Sequence, residues 1–459
     1  MQMHSRLTQM SALALGIAGV LAFGQASASG FQIRENSAKN LGRALAGSAV
    51  AQNDASVVSN NPAAMVNLKQ TTLQGDLHAI DLTADFRGGG QAAAGSPLAS
   101  PLRGGDGGDP GDVEAVPAFA VVVPLSGSFD YVTLGASLSA PFGLTTKYDR
   151  NWIGRYNAVE SKLRTIDLTL SAAIELSDRF SVGAGLIYER ADATLSNAVD
   201  FGSAICRVNV ALCVTPSPAA APFGPQKNDG FAKVEGDDYG IGWVLGFQWR
   251  PTDQFWVGYS HRSEIKHELE GTVKFTKPGN VDALFQGAGI TQYNSGPGGA
   301  VLTTPSVDTL SLQYDFTEQF RLMADIQATG WSSLESIDIK RANGTLVTSE
   351  AFKWDNTMMY SLGGEYDLND SFTLRAGVAR DETPTHNDTR TPRLPDDNRM
   401  LYALGFTWNA SENLSLDASY MYVKIDDPKI SAVSSSGSLL QGEYKGKAQV
   451  LGLSAQYRF

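Results

Sequence analysis

Over most of its length the chain alternates apolar and polar residues one for one, the period of a half-buried β-strand. The alternation restarts from one motif, a short polar turn followed by an aromatic residue or leucine. Ser177-Asp178-Arg179 leads into FSVGAGLIY, Thr252-Asp253-Gln254 into FWVGYSH, and Thr317-Glu318-Gln319 into FRLMADIQ. Asn369-Asp370-Ser371 leads into FTLRAGVA, Ser411-Glu412-Asn413 into LSLDASYMY, and Ser126 to Asp130 into YVTLGASLS. A strand precedes each turn, so six turns join twelve strands. One strand before the first hairpin (71–86) and one at the C-terminus (444–459) bring the expected number to fourteen. Turns of three to five residues alternate with much longer connections, which predicts short turns at one end of the sheet and long loops at the other.

The alternation also assigns faces. In 320–328, Phe320, Leu322, Ala324, Ile326 and Ala328 share one face, and Arg321, Asp325 and Gln327 the other. In 372–378, Phe372, Leu374, Ala376 and Val378 oppose Thr373 and Arg375. Over 256–270 the same rule puts Arg262, Glu264, Lys266, Glu268 and Glu270 together, with Tyr259, His261, Ile265, His267 and Leu269 opposite. A β-sandwich would cover its apolar faces with a second sheet and would have loops of similar length at both ends. A closed barrel with its apolar face outward leaves no bare backbone edge, as lipid requires. Trp249, Trp256, Trp408, Tyr188, Tyr420 and Tyr422 near strand ends suit head-group girdles. The expected fold class is all-β: a 14-stranded antiparallel transmembrane β-barrel over residues 71–459.

Composition narrows the alternatives. Hydrophobic residues make up 42% and charged residues 18%, yet no mature segment has the ~20-residue apolar run of a transmembrane helix. A net charge of −12 argues against nucleic acid as a partner. Glycine, at 47 residues, is well above the usual ~7%. Residues 1–28 read as a signal peptide, with Arg6, an apolar stretch from Ala12 to Gly24, and Ala26-Ser27-Ala28 ahead of cleavage before Ser29. The end of the chain, Leu451 to Phe459, alternates strictly and stops on an aromatic. It resembles the signal by which bacterial outer-membrane barrels are recognised for insertion. The expected location is the bacterial outer membrane, and the barrel-assembly machinery is an expected partner.

Residues 29–70 are different. They are rich in Ala, Ser and Asn, read as helix-like at Leu41 to Leu45, and carry a turn signal at Asn60-Asn61-Pro62. So small a domain cannot build its own core. A 14-stranded barrel leaves a lumen to fill, so the expectation is a hatch packed inside it. The run Ser29-Gly30-Phe31-Gln32, Leu41-Gly42-Arg43-Ala44, Ala46-Gly47, Asp54-Ala55 and Asn61-Pro62-Ala63 resembles the hatch of FadL-type long-chain fatty acid transporters, the FadL/TodX family. Tyr259 to Lys266 and Pro395 to Arg399 resemble it as well.

The resemblance implies passive uptake of long-chain fatty acids through a hydrophobic lumenal site, with lateral release into the bilayer. It implies that Ser29, Gly30 and Phe31 reach the ligand, and that Asn61, Pro62 and Ala63 belong to the hatch motif. A kink in the third strand falls on Pro141, Phe142 and Gly143, where proline lacks a ladder N–H and glycine weakens the strand. The basic residue that the family places near the ligand carboxylate falls on Leu195 here. Arg190 shares a face with Phe180, Val182, Leu186 and Tyr188 and is expected to meet lipopolysaccharide. The competing ligands are monoaromatic or other hydrocarbons, and the competing classes are a general porin or a structural adhesin barrel.

Cys206 and Cys213, close together in an exported chain, are expected to form a disulfide. Asp106, Asp109 and Asp112, with Asp237 and Asp238, read as solvated loop charge rather than calcium ligands. His78, His261, His267 and His386 sit in no metal-binding or nucleophile motif, and neither Ser137 nor His386 has a catalytic partner in the sequence. No enzyme, cofactor or metal is expected. The remaining partner expectations are a hydrophobic small molecule, outer-membrane lipid and a monomeric state.

Overall fold

The computed structural model describes residues 30–218 and 220–459. The signal peptide and Ser29 lie outside the described residues. Fourteen strands form one closed wall. They are β1 (Thr72–Ala92), β2 (Val113–Pro124), β3 (Val132–Ser139, continued as Gly143–Lys147), β4 (Glu160–Ser177), β5 (Phe180–Asp200), β6 (Asp229–Trp249) and β7 (Phe255–Arg262 and Ile265–Thr276). The second half is β8 (Gly296–Thr304 and Val307–Asp315), β9 (Phe320–Thr329 and Ser336–Arg341), β10 (Leu346–Ala351 and Thr357–Asn369), β11 (Phe372–Asp381), β12 (Arg399–Asn409), β13 (Leu414–Ile425 and Lys429–Val433) and β14 (Leu439–Arg458). Each pairs antiparallel with its neighbour, and β1 closes on β14 from Thr72↔Arg458 to Gln91↔Leu439. Closure gives every strand a partner on both sides, as lipid requires over most of the wall.

The wall is inverted relative to a soluble protein. Leu168, Leu170, Leu186, Ile241, Trp243, Leu404, Leu451 and Leu453 are exposed, while Asp167, Thr169, Glu189, Arg375, Asp417 and Gln456 are buried. Apolar side chains outward and polar ones inward are what alternation produces when the solvent outside is hydrocarbon. The short turns share one end. At the other, the connections 93–112, 201–228, 277–295 and 382–398 are long, but β9–β10 and β13–β14 are extended hairpins instead.

Strand β7 departs from the simple alternation. It breaks at Ser263-Glu264, and the break shifts the facing by one residue. Arg262 faces the lumen, where it meets buried Asp167 and Glu189, whereas Lys266 and Glu268 point outward. The expected single charged face therefore splits. His267, Ile265 and Leu269 are buried, while Tyr259 and His261 bond Asp308 on the half-exposed side.

Residues 30–71 run inside the lumen from the break in β3 to the short-turn end. Helix α1 (Ala38–Leu41) packs on β12 to β14, and α2 (Val57–Asn60) precedes a 3-10 turn over Pro62–Asn67 that packs on β4 to β6. The helix-like reading of Leu41 to Leu45 fails beyond the first residue: Ala44 and Leu45 have φ of 51° and 71°, in the left-handed region that breaks a helix. At the long-loop end, α3 (Phe201–Val208) and α4 (Ala211–Val214) are joined by the Cys206–Cys213 disulfide and pack against α5 (Gly279–Gly287) around Phe201, Phe223 and Phe285.

Candidate functional site

The ladder is interrupted between β2 and β3. Strand β2 pairs with β1 from Val113 to Val122, but with β3 only over Phe119–Pro124. Past Leu138, β3 leaves β2; its upper part, Gly143–Lys147, pairs only with β4. A slit therefore opens between 113–118 of β2 and 140–146 at the break and upper part of β3, and it ends where Lys147 N–H donates to Pro110 O at 2.9 Å. Pro141 stands at the break and has no N–H to give to a ladder. The freed backbone finds other partners. Ile33 N–H donates to Pro141 O at 2.7 Å, Gly143 N–H donates to Phe31 O at 2.7 Å, and Phe142 N–H donates to Thr165 Oγ1 at 3.0 Å. The N-terminal segment thus lies as a short strand along the lumenal side of the kink, which satisfies polar groups that a bare break would leave open.

Gly30 has φ +61°, and a Cβ there would sit 2.6 Å from Trp331. Its N–H donates to Asp396 Oδ2 at 2.9 Å; Asp396 is fixed in turn by Arg399 and by Thr383 Oγ1. The Pro395–Arg399 motif therefore holds the start of the lumenal segment. Phe31 is enclosed by three aromatic rings. Its centroid lies 4.7 Å from Trp331, 5.7 Å from Trp354 and 6.0 Å from Phe142. Trp331 and Trp354 come from the interruptions of β9 and β10, which turn them inward. Nothing in their local sequence separates them from girdle tryptophans.

Beyond Phe31 the lumen is an apolar cavity walled by Leu144, Leu163, Leu195, Leu269, Leu302 and Phe352. Leu195 is part of this apolar wall. On the other side of the kink, Arg262 bridges Asp167 (2.5 Å) and Glu189 (2.8 Å) with its guanidinium 5.6 Å from the Phe142 ring centre. Arg34 reaches Asp381 at 2.9 Å. Burial pushes the neighbouring Glu35 carboxyl above its ordinary range, against the opposing pull of Arg34.

The short-turn end of the lumen is polar and pinned by charge. Arg43 pairs with Glu365, which also meets Arg375 and Arg321 at 2.6 Å each. Asp325 accepts from Gly47 and Ser48 N–H at 2.6 and 3.0 Å. Asn61 Nδ2 donates to Ala49 O at 2.7 Å and to Phe247 O at 3.0 Å, and its Oδ1 accepts from Ala63 N–H just past Pro62. This is what that motif does structurally: it caps a turn and ties it to the wall. Among the described residues no group of three or more His, Cys, Asp or Glu is arranged to hold a metal, and no helix is long and apolar enough to cross a membrane.

The chain is similar to a long-chain fatty acid transport protein of Escherichia coli O6:H1, at 27% identity over 99% of this chain and all of the relative. Its backbone is similar to the crystal structure of a Pseudomonas aeruginosa FadL homologue, with a TM-score of 0.85 at 29% identity over 94% of this chain and 100% of the other. The Pseudomonas putida toluene transporter TodX shares the fold, with a TM-score of 0.66 at 14% identity over 94% of this chain and 100% of the other. The model of the outer-membrane transport protein family (OMPP1/FadL/TodX) matches residues 19–459, and the chain belongs to that family.

Proposed function

We propose that the protein carries long-chain fatty acids across the outer membrane by passive diffusion, through the apolar cavity and out sideways through the slit between β2 and β3. The observation that carries this reading is the combination of an apolar cavity beside a gap in the wall with a charge-pinned lumen below it. Leaving apolar surroundings costs an acyl chain roughly 0.8 kcal/mol per methylene, so a C16 tail faces on the order of 10 kcal/mol on an aqueous path. A path from cavity to slit to bilayer avoids it. Residues 29–70 act as a hatch, and Ser29, Gly30 and Phe31 act at the ligand. The kink at Pro141, Phe142 and Gly143 is the lateral opening.

Uptake of labelled oleate by cells that lack another such transporter tests the reading. Expression of this chain should restore oleate uptake, and oleate uptake at background level would remove it. A second reading, uptake of monoaromatic hydrocarbons, is favoured by the close aromatic enclosure around Phe31. It predicts toluene uptake without oleate uptake. A general porin would give large steady conductance in planar bilayers, which the filled lumen opposes. On the outer face, Arg190 with Tyr239 (3.1 Å) and Asp192 (2.8 Å) stands above the apolar belt at the level of lipopolysaccharide head groups. The protein works as a monomer, and its terminal strand is the element the barrel-assembly machinery reads.

A further inference from the structure

Toward the long loops the apolar cavity adjoins a second, mixed vestibule in which Asn157, Asn197, Thr348, Ser349 and Ser434 stand among apolar residues such as Val199 and Phe275. Leu195, Val234, Ile339, Glu350 and Arg393 line both spaces, so they form the neck between them. The connection between β11 and β12 crosses this neck, with Thr391 on the vestibule side and Leu394 on the apolar side. Arg393 stands between.

Its side chain is only 7% exposed, and its contacts are all long. Nε lies 3.4 Å from Glu350 Oε1, and the two terminal nitrogens lie 3.2 Å from Ser161 Oγ, 3.5 Å from Ser196 O and 3.3 Å from Asn197 Oδ1. Charge-assisted bonds normally close to about 2.7–2.9 Å. Arg399, six residues on, reaches Asp396 at 2.9 Å through Nε. The Arg393 guanidinium is therefore buried, fully charged and loosely countered, with a partly exposed carboxylate as its counterion.

We infer that Arg393 binds the carboxylate of an amphiphilic ligand whose tail enters the cavity beside Phe31, and that it sets the preference for fatty acids over hydrocarbons. This assignment rests on the fatty acid reading above. Glu350 is the group a ligand carboxylate displaces, so its negative charge opposes binding.

The test is a titration of the purified full-length protein in detergent at pH 8. Intrinsic tryptophan fluorescence is read with oleate and, separately, with the uncharged oleyl alcohol. Wild-type protein should bind oleate more tightly than the alcohol. Arg393→Gln should weaken oleate by about tenfold or more, the size of a lost charge-assisted bond, and leave the alcohol unchanged. Arg393→Lys should keep most of the oleate affinity, and Glu350→Gln should tighten it. Equal weakening of both ligands by Arg393→Gln would make the role structural and overturn the assignment. So would a wild-type oleate preference that survives Arg393→Gln. A wild type with no preference for oleate over the alcohol would overturn the fatty acid reading along with it, an outcome distinct from the other two.

Discussion

Phe31 is a large side chain buried between Trp331 and Trp354, and truncating such a residue removes about 3–5 kcal/mol of local packing. Phe31→Ala should therefore unseat the segment at 30–33 without unfolding the barrel. Tryptophan emission should shift to the red as Trp331 and Trp354 gain access to water; unchanged emission would contradict the packing described. The glycine excess has a second residue-scale consequence. A Cβ on Gly377 would lie 2.2 Å from the backbone of Arg43, and one on Gly405 would lie 2.9 Å from Cα of Gly42. The wall is bare at these points so that the lumenal backbone can press against it. Gly377→Ala should loosen residues 38–50 by the 1–3 kcal/mol typical of overpacking, read as faster hydrogen exchange there. Gly89→Ala, where nothing lies within 4 Å, should do neither.

Strand β3 is the element on which the proposed transport path turns. Replacing Pro141 and Gly143 with valine restores a ladder donor and β propensity, and should let β3 zip onto Val113–Ala118 of β2. Oleate uptake should fall at least tenfold while the heat-modifiable mobility of the folded barrel stays normal. Undiminished uptake by a folded variant would remove the slit from the pathway. Much of this element was legible beforehand. Period-2 alternation and the repeated turn motif place all the strands, because lipid outside and polar groups inside write themselves into every second residue. The position of the kink came from the resemblance to the family, and the backbone chemistry of Pro141 and Gly143 agrees with it. The facing of β7 was not, since a break at Ser263-Glu264 shifts parity without any proline or glycine to announce it. Trp331 and Trp354 were not either, because whether an aromatic faces lipid or lumen depends on such interruptions. Arg393 sits in an irregular connection, where no periodicity assigns a direction.

At the scale of the whole molecule, a wall with its apolar face outward encloses an apolar cavity beneath the long-loop vestibule and a charge-pinned lumen toward the short turns. The pinning centres on Glu365, which serves Arg43, Arg375 and Arg321. Removing one partner of a buried ionic network strands the others and costs about 3–5 kcal/mol. Glu365→Ala should free the lumenal segment from the wall and give measurable ion conductance in planar bilayers where the wild type gives little. A silent variant would mean that Arg43 is not a principal tether. The proposed route runs from cavity to slit to bilayer, and not down the lumen. It is tested most directly by a photoactivatable long-chain fatty acid, cross-linked on intact cells and mapped by mass spectrometry. Adducts are expected at Phe31 and along the slit, in 113–118 and 140–144. Adducts on Glu318, Arg321 and Asn409, at the short-turn end of the lumen, with none at the slit, would contradict it.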